Sequence, residues 1–316
     1  MIVTLTANPS IDRTVTLTEA LHRGAVHRAA TVNSHPGGKG VNVSRVIAAA
    51  GRATVAVLPG NTGDPLLRQL GDAGIAYRAV PIPGTARTNL TIAETDGTTT
   101  KINEPGPPLT TACTAALAET LDGLAAAASW VVLSGSLPPG VPTDWYVALL
   151  RRLRGIPVAI DASDAPLRAV AATVGSHPPR LLKPNAEELG QLTGADLAEL
   201  ENPVAAARAA ATLVERGVGT VLATLGKAGA VLVTPDGAWY APAPRVTPRS
   251  TVGAGDSALA GYLLADSDGA EPTERLRHAV AYGSAAAALP GTGVPGPHDI
   301  DLDAVRVTAL DALHNS

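Results

Sequence analysis

The chain has 316 residues, 46% of them hydrophobic and 16% charged, which excludes a disordered protein. The net charge of −4 comes without a basic block, which argues against a nucleic-acid binder, and the lone cysteine, Cys113, excludes a disulfide scaffold and a cysteine zinc site. No apolar run free of turn residues is long enough to span a bilayer and the N-terminus lacks a basic leader, so a cytoplasmic protein with no membrane partner is expected.

In chain order, Ile2–Thr6 and Ala53–Leu58 read as buried strands, and Val41–Ala50 between them reads as a helix stopped at Gly51. Asp64–Ala73 has helical composition and Ile75–Val80 follows as a strand. Further strands are predicted at Trp130–Leu133, Val158–Ile160, Arg180–Leu182 and Thr220–Thr224. Helices at Thr110–Ala125, Thr143–Leu153, Pro203–Arg216 and Ala258–Ala265 alternate with them, and a short terminal helix is predicted over Asp301–Leu310. Strands separated by helices imply βαβ units and a mostly parallel sheet. Three segments break that rhythm. Asp12–Leu17, Arg87–Glu94 and Thr98–Asn103 alternate as polar strands, the last two joined by the hairpin signal Asp96-Gly97. They predict a small β-sheet, strands about 12–17 and 87–104, serving as a lid on a single domain over 1–316.

Five segments carry candidate chemistry. Gly253-Ala254-Gly255-Asp256 opens into a helix, and backbone N–H groups at such a start form an anion site. Asp256 at its mouth is either an N-cap or a general base that takes a proton from an attacking hydroxyl. Gly37-Gly38-Lys39-Gly40-Val41-Asn42 is a second glycine-rich helix start, either an ordinary one or a site for sugar hydroxyls or phosphate. It lacks the spacer and Ser/Thr of a P-loop. Lys183-Pro184-Asn185-Ala186-Glu187-Glu188 reads as a capping box, and the same geometry could hold hydrated Mg2+ against nucleotide phosphates. Thr224-Leu225-Gly226 and Ser134-Gly135-Ser136 lie at predicted strand ends, where open α/β sheets bind ligands. Gly291-Thr292-Gly293-Val294-Pro295-Gly296 matches a dinucleotide fingerprint only formally, since it follows a helix and contains proline.

Taken together, the series resembles the ribokinase-like (PfkB) carbohydrate kinases. Gly37–Asn42 is similar to that family's N-terminal signature and Thr251–Asp256 to its C-terminal one. Thr6–Asp12 and Ser134–Pro138 resemble the phosphosugar branch. The resemblance implies a three-layer α/β/α ribokinase-like fold with a β-lid, and phosphoryl transfer from MgATP to a sugar-phosphate hydroxyl. Within that branch Asn8–Thr14 and Thr100–Gly106 look most like the kinases of fructose 1-phosphate; kinases of tagatose 6-phosphate or fructose 6-phosphate are the alternatives, and a non-catalytic sugar- or nucleotide-binding regulator is the second. By similarity, Asp256 is the base and Gly253, Ala254 and Gly255 form the anion hole. Asp12, Gly38, Lys39, Asn42, Asn103 and Ser136 would hold the sugar, with Arg87 and Lys101 on its phosphate. Lys183, Asn185, Thr224, Gly226 and Ser284 resemble the nucleotide positions, and Asn185 and Glu188 the metal positions. ATP and Mg2+ are the implied cofactors, with K+ as a further candidate, and a homodimer paired through the lids is the implied assembly.

Overall fold

The computed structural model describes residues 1–310. The chain opens with β1 (Ile2–Thr6), leaves the main layer through β2 (Ser10–Leu17) and β3 (Ala29–Gly37), and returns in α1 (Lys39–Ala49), β4 (Thr54–Pro59), α2 (Pro65–Asp72) and β5 (Tyr77–Val80). A second excursion makes β6 (Arg87–Ala93) and β7 (Thr99–Asn103). The βα rhythm then resumes with α3 (Thr111–Ala125), β8 (Trp130–Ser134), α4 (Trp145–Arg152), β9 (Val158–Asp161), α5 (Asp164–Thr173), β10 (Leu181–Leu182), α6 (Ala186–Thr193), α7 (Pro203–Glu215) and β11 (Val221–Thr224). A hairpin, β12 (Ala230–Thr234) and β13 (Gly237–Ala241), precedes α8 (Ala254–Ser267), α9 (Pro272–Ala288) and β14 (Thr308–Ala309).

The main sheet runs β14-β13-β12-β11-β10-β9-β8-β1-β4-β5. It is parallel from β5 to β11, and β12, β13 and β14 continue it antiparallel. Strands buried on both faces read as unbroken apolar runs, which is why Trp130-Val131-Val132-Leu133 shows no alternation. The pleat nonetheless sorts the side chains. Val131, Leu133, Ile160 and Leu182 pack on one face against Leu121, Tyr146, Leu149, Val170, Leu189 and Leu213 of α3 to α7. Ile2, Val132, Leu181 and Leu222 pack on the other against Ile47 of α1, Leu259 and Leu263 of α8, and Leu276 of α9. Each buried aliphatic side chain contributes about 1.5–3 kcal/mol. The result is the three-layer α/β/α architecture expected from the resemblance.

The lid is a separate sheet in the order β3-β2-β6-β7, with β2 and β6 parallel. Its pleat separates two faces. Val15, Val32, Leu90, Ile92 and Ile102 share one; Asp12, Thr14, Asn89, Thr91, Lys101 and Asn103 share the other. Val32 and Ile102 remain 46% and 54% exposed.

The structure adds α5, β12 and β13 to the elements read from the sequence and departs from that reading at two further places. The lid has a fourth strand, β3, beside the three expected, and its first seven residues are all exposed and leave no burial pattern to read. The helix expected over Asp301–Leu310 does not form. Val305 is buried against the α8/α9 layer, Val307 packs beside it, and Thr308 and Ala309 pair with β13. β-branched Val305, Val307 and Thr308 favour that extended path, and the Asp301 side chain accepts from Ala304 N–H in a turn.

Candidate active site

Parallel order sends the ends of β1, β8, β9, β10 and β11 to one edge of the sheet, and the starts of α1, α6 and α8 meet them there. No side chain caps α1 at Gly38 or α8 at Gly253, so first-turn N–H groups of both helices are left available to an anion. The two helix starts are tied together: Asn42 Nδ2 donates to Asp256 Oδ2 at 2.8 Å, both residues being buried.

Beneath them lies a charged hub. Asp161, at the end of β9, is wholly buried. Its Oδ1 lies 2.8 Å from Lys39 Nζ and its Oδ2 3.2 Å from Lys183 Nζ. Lys39 Nζ also reaches Ser163 Oγ at 3.4 Å and Glu188 Oε1 at 3.9 Å. Ser163 Oγ donates to Glu188 Oε1 at 2.8 Å. Lys183 Nζ comes up under the α8 loop, 3.3 Å from where a Cβ on Gly255 would stand. Glu188 and Asn185 form the expected capping box: Asn185 N–H donates to Glu188 Oε2 at 2.9 Å and Glu188 N–H to Asn185 Oδ1 at 2.8 Å. Thr224 is bridged to Asn185, which sets the end of β11 beside α6.

The electrostatics divide the two carboxylates. Burial pushes Asp256 up to about 6, with the nearby Asp161 charge adding to it; Lys39, the Asn42 hydrogen bond and Lys183 pull the other way. Burial would also raise Asp161, but the Lys183 and Lys39 ammonium groups overcome it and hold that carboxyl below the ordinary range. Lys39 is pushed up: burial works against its charge, and Asp161, Asp256 and Glu188 outweigh it. Of the two carboxylates, Asp161 is the one whose charged form its neighbours favour and Asp256 the one whose proton affinity burial raises.

The lid base forms the opposite wall. Asp12 Oδ1 accepts from Ser10 Oγ at 2.7 Å and Asn89 Nδ2 at 3.1 Å. Gly37 presses on this carboxylate so closely that a Cβ there would lie 2.3 Å from it. Asn8 Nδ2 donates to Pro105 O at 3.1 Å and Ser136 Oγ at 3.3 Å. Arg87 donates to Glu104 O at 2.9 Å, and its Nε is buried without a partner. Arg87 and Lys101 do not meet. They share a face, but Arg87 is in the row of Ser10 while Lys101 pairs with Thr91 beyond the Asn89–Asn103 row, about 13 Å along the strands. Asn103 and Lys101 stand exposed on the outer strand. Ser284 is on α9 next to Gly283, which crosses the first turn of α8 at Ala254 O.

The structure thus gathers Gly38, Lys39, Asn42, Lys183, Asn185, Glu188 and Gly253–Asp256 in one cleft, with Thr224 and Gly226 along its edge. Three members of the network, Asp161, Ser163 and Asn89, were not singled out by the sequence. The strand reading stopped at Ile160, one residue short of Asp161, and a lone carboxylate at a strand end carries no local signal.

The model of the pfkB family carbohydrate kinases matches residues 5–299, and the chain belongs to that family. It is 39% identical over 281 residues to a 1-phosphofructokinase of Xanthomonas campestris, covering 86% of each chain. It is 34% identical over 306 residues to an ATP-dependent 6-phosphofructokinase isozyme 2 of Mycobacterium tuberculosis, covering 95% of this chain and 88% of the other. Phosphofructokinase-2 of Escherichia coli, solved with potassium, superposes with a TM-score of 0.86 at 32% identity over 94% of this chain and 96% of the other. The chain is accordingly a carbohydrate kinase, a phosphotransferase with an alcohol acceptor.

Proposed function

We propose that the enzyme transfers the terminal phosphoryl group of ATP to the 6-hydroxyl of fructose 1-phosphate, giving fructose 1,6-bisphosphate and ADP in the cytoplasm. The observation that carries the reading is Asp256, poised near 6 where two uncapped helix N-termini converge. Asp256 takes the proton of the attacking hydroxyl. The sugar oxygen forms a bond to the terminal phosphorus while the bond from phosphorus to the bridging oxygen breaks and leaves with ADP. First-turn N–H groups of α8, with Lys39 and Lys183, offset negative charge on the transferring group. Names of relatives on both sides, 1-phosphofructokinase and 6-phosphofructokinase, bracket the acceptor as a fructose phosphate.

Among the described residues no three His, Cys, Asp or Glu side chains converge on one point. That fits Mg2+, which keeps several waters and binds mainly through nucleotide phosphates, with Glu188 and Asn185 receiving its hydration shell. When bound, the ion neutralises phosphate charge. Activation by K+ belongs to the proposal on the strength of the Escherichia coli potassium complex, and a KCl titration of the rate reads it. Pairing of two lids through their apolar faces, where Val32 and Ile102 are exposed, is the assembly proposed, read by sedimentation.

Arg87 is the proposed clamp for the substrate's own phosphate, because its guanidinium stands at the lid base with a buried N–H still free. Arg87→Ala is expected to raise KM for fructose 1-phosphate by about tenfold or more and leave KM for ATP nearly unchanged. Equal rises in both KM values would instead mean that the lid as a whole had lost its seat.

A further inference from the structure

Arg45 stands on α1 three residues after Asn42, so the two side chains rise from the same face of the helix. It is partly buried, and it forms no ion pair among the described residues. Burial works against its charge, and the Asp12 carboxylate offsets that only in part. A cation held in such a place without a carboxylate in contact costs free energy, so its hydrogen bonds are the guide to its use. One guanidinium nitrogen makes two of them, each at 3.3 Å, to Pro36 O of β3 and to Asn42 Oδ1. The first ties α1 to the lid base, where Pro36 pairs with Ile11 beside the Asp12–His35 row. The second acts on the amide that meets Asp256.

A guanidinium carries donors and no acceptor. The end of the Asn42 side chain turned to Arg45 must therefore be the oxygen. The Nδ2 end is left facing Asp256 Oδ2, to which it donates at 2.8 Å. Asn42 is buried, so bulk water does not set the choice. Without Arg45 the amide torsion is roughly two-fold, and both orientations become open to it. The flipped one sets a carbonyl oxygen against the Asp256 carboxylate. That arrangement is repulsive until Asp256 is protonated, and a protonated Asp256 cannot take the proton of an attacking hydroxyl.

We propose that Arg45 is a positioning residue for proton transfer: it fixes the Asn42 amide with its N–H groups toward Asp256 and so keeps the base in the form that accepts. The inference rests on the reading of Asp256 as the base and adds to it a residue outside the reacting groups. Other charges face the pair. Asp161 of β9, Lys39 of α1 and Lys183 after β10 face Asp256, while Asp12 of β2 and His35 of β3 face Arg45. The test separates their effects from that of the amide. kcat/KM for the best fructose phosphate is measured against pH in wild type, Arg45→Met, Asn42→Ala and the double variant, with the melting temperature of each. Loss of an N–H donor disfavours the charged carboxylate, so the acid limb in Arg45→Met is expected about one pH unit above wild type, with the plateau above it within about threefold of wild type. Asn42→Ala is expected to move the limb in the same direction, and adding Arg45→Met to it moves the limb no further. A shift carried by His35, or by the lost arginine charge alone, would recur in the double variant. An unmoved limb in Arg45→Met, a further move in the double variant, or an equal loss at every pH with a lowered melting temperature would overturn the assignment. Asp256→Asn, run alongside, distinguishes the two failures. If it is inactive, those outcomes remove Arg45 alone; if it keeps wild-type activity, the base and its positioning fall together.

Discussion

Asp256→Asn is expected to lower kcat by about 10²–10⁴ while leaving ADP affinity and the melting temperature close to wild type. The amide keeps the size and can still meet Asn42, but it cannot take the proton of the attacking hydroxyl. Its effect on the fold is small because the native carboxylate stands without an ammonium in contact and accepts from the neutral Asn42 side chain at 2.8 Å. The pH profile supplies a second readout. The base must be deprotonated to act, and burial holds Asp256 up at about 6 in the free enzyme, so wild-type kcat/KM rises with pH through about 6 and is flat above. Asp161→Asn removes the negative charge that adds to this shift, so the acid limb of the surviving activity moves to lower pH. Retention of more than about a tenth of wild-type kcat in Asp256→Asn would contradict the assignment of Asp256 as the base.

Asp161→Ala is expected to be the most destabilising change at the cleft. Asp161 is wholly buried, and the side chain of Lys183 is only 4% exposed. Removing the carboxylate leaves the Lys183 ammonium uncompensated in a dry environment, which costs about 3–5 kcal/mol. Lys39 suffers less, since it is partly exposed and keeps Ser163 and Glu188 within reach. Denaturant unfolding reads the loss. Adding Lys183→Met to Asp161→Ala removes the stranded charge and should restore most of the stability without restoring kinase activity. A loss below about 1 kcal/mol in the single variant would mean that water reaches the pair and that the hub is not dry.

The parts of this site that were legible in the sequence are those whose chemistry is local. A glycine-rich loop that opens a helix is an anion site wherever it occurs, so Gly37–Asn42 and Gly253–Asp256 could be marked from composition and order. Asn185 and Glu188 were legible as a capping box for the same reason, because both partners lie within four residues. Asp161 was not, since its meaning comes from Lys39, 122 positions away, and from a burial that only the folded sheet creates. The lid shows the same division. β2, β6 and β7 alternate and carry a hairpin signal, whereas β3 is exposed over most of its length and its sequence has no reason to alternate. The resemblance put Arg87 and Lys101 together on the substrate's phosphate, but strand register separates them by two same-face rows. At the C-terminus, Asp301–Ala304 has the composition of a helix start, and the burial of Val305 overrides it.

The acceptor decides the central claim. In a coupled assay of ADP release, kcat/KM is measured for fructose 1-phosphate, fructose 6-phosphate, tagatose 6-phosphate, fructose and ribose under one set of conditions. Fructose 1-phosphate is expected to give the highest value, with the unphosphorylated sugars far below all three phosphates because they offer Arg87 no anion to grip. A higher kcat/KM for fructose 6-phosphate or tagatose 6-phosphate would contradict the acceptor assigned here, and a higher value for fructose or ribose would contradict the phosphosugar reading altogether.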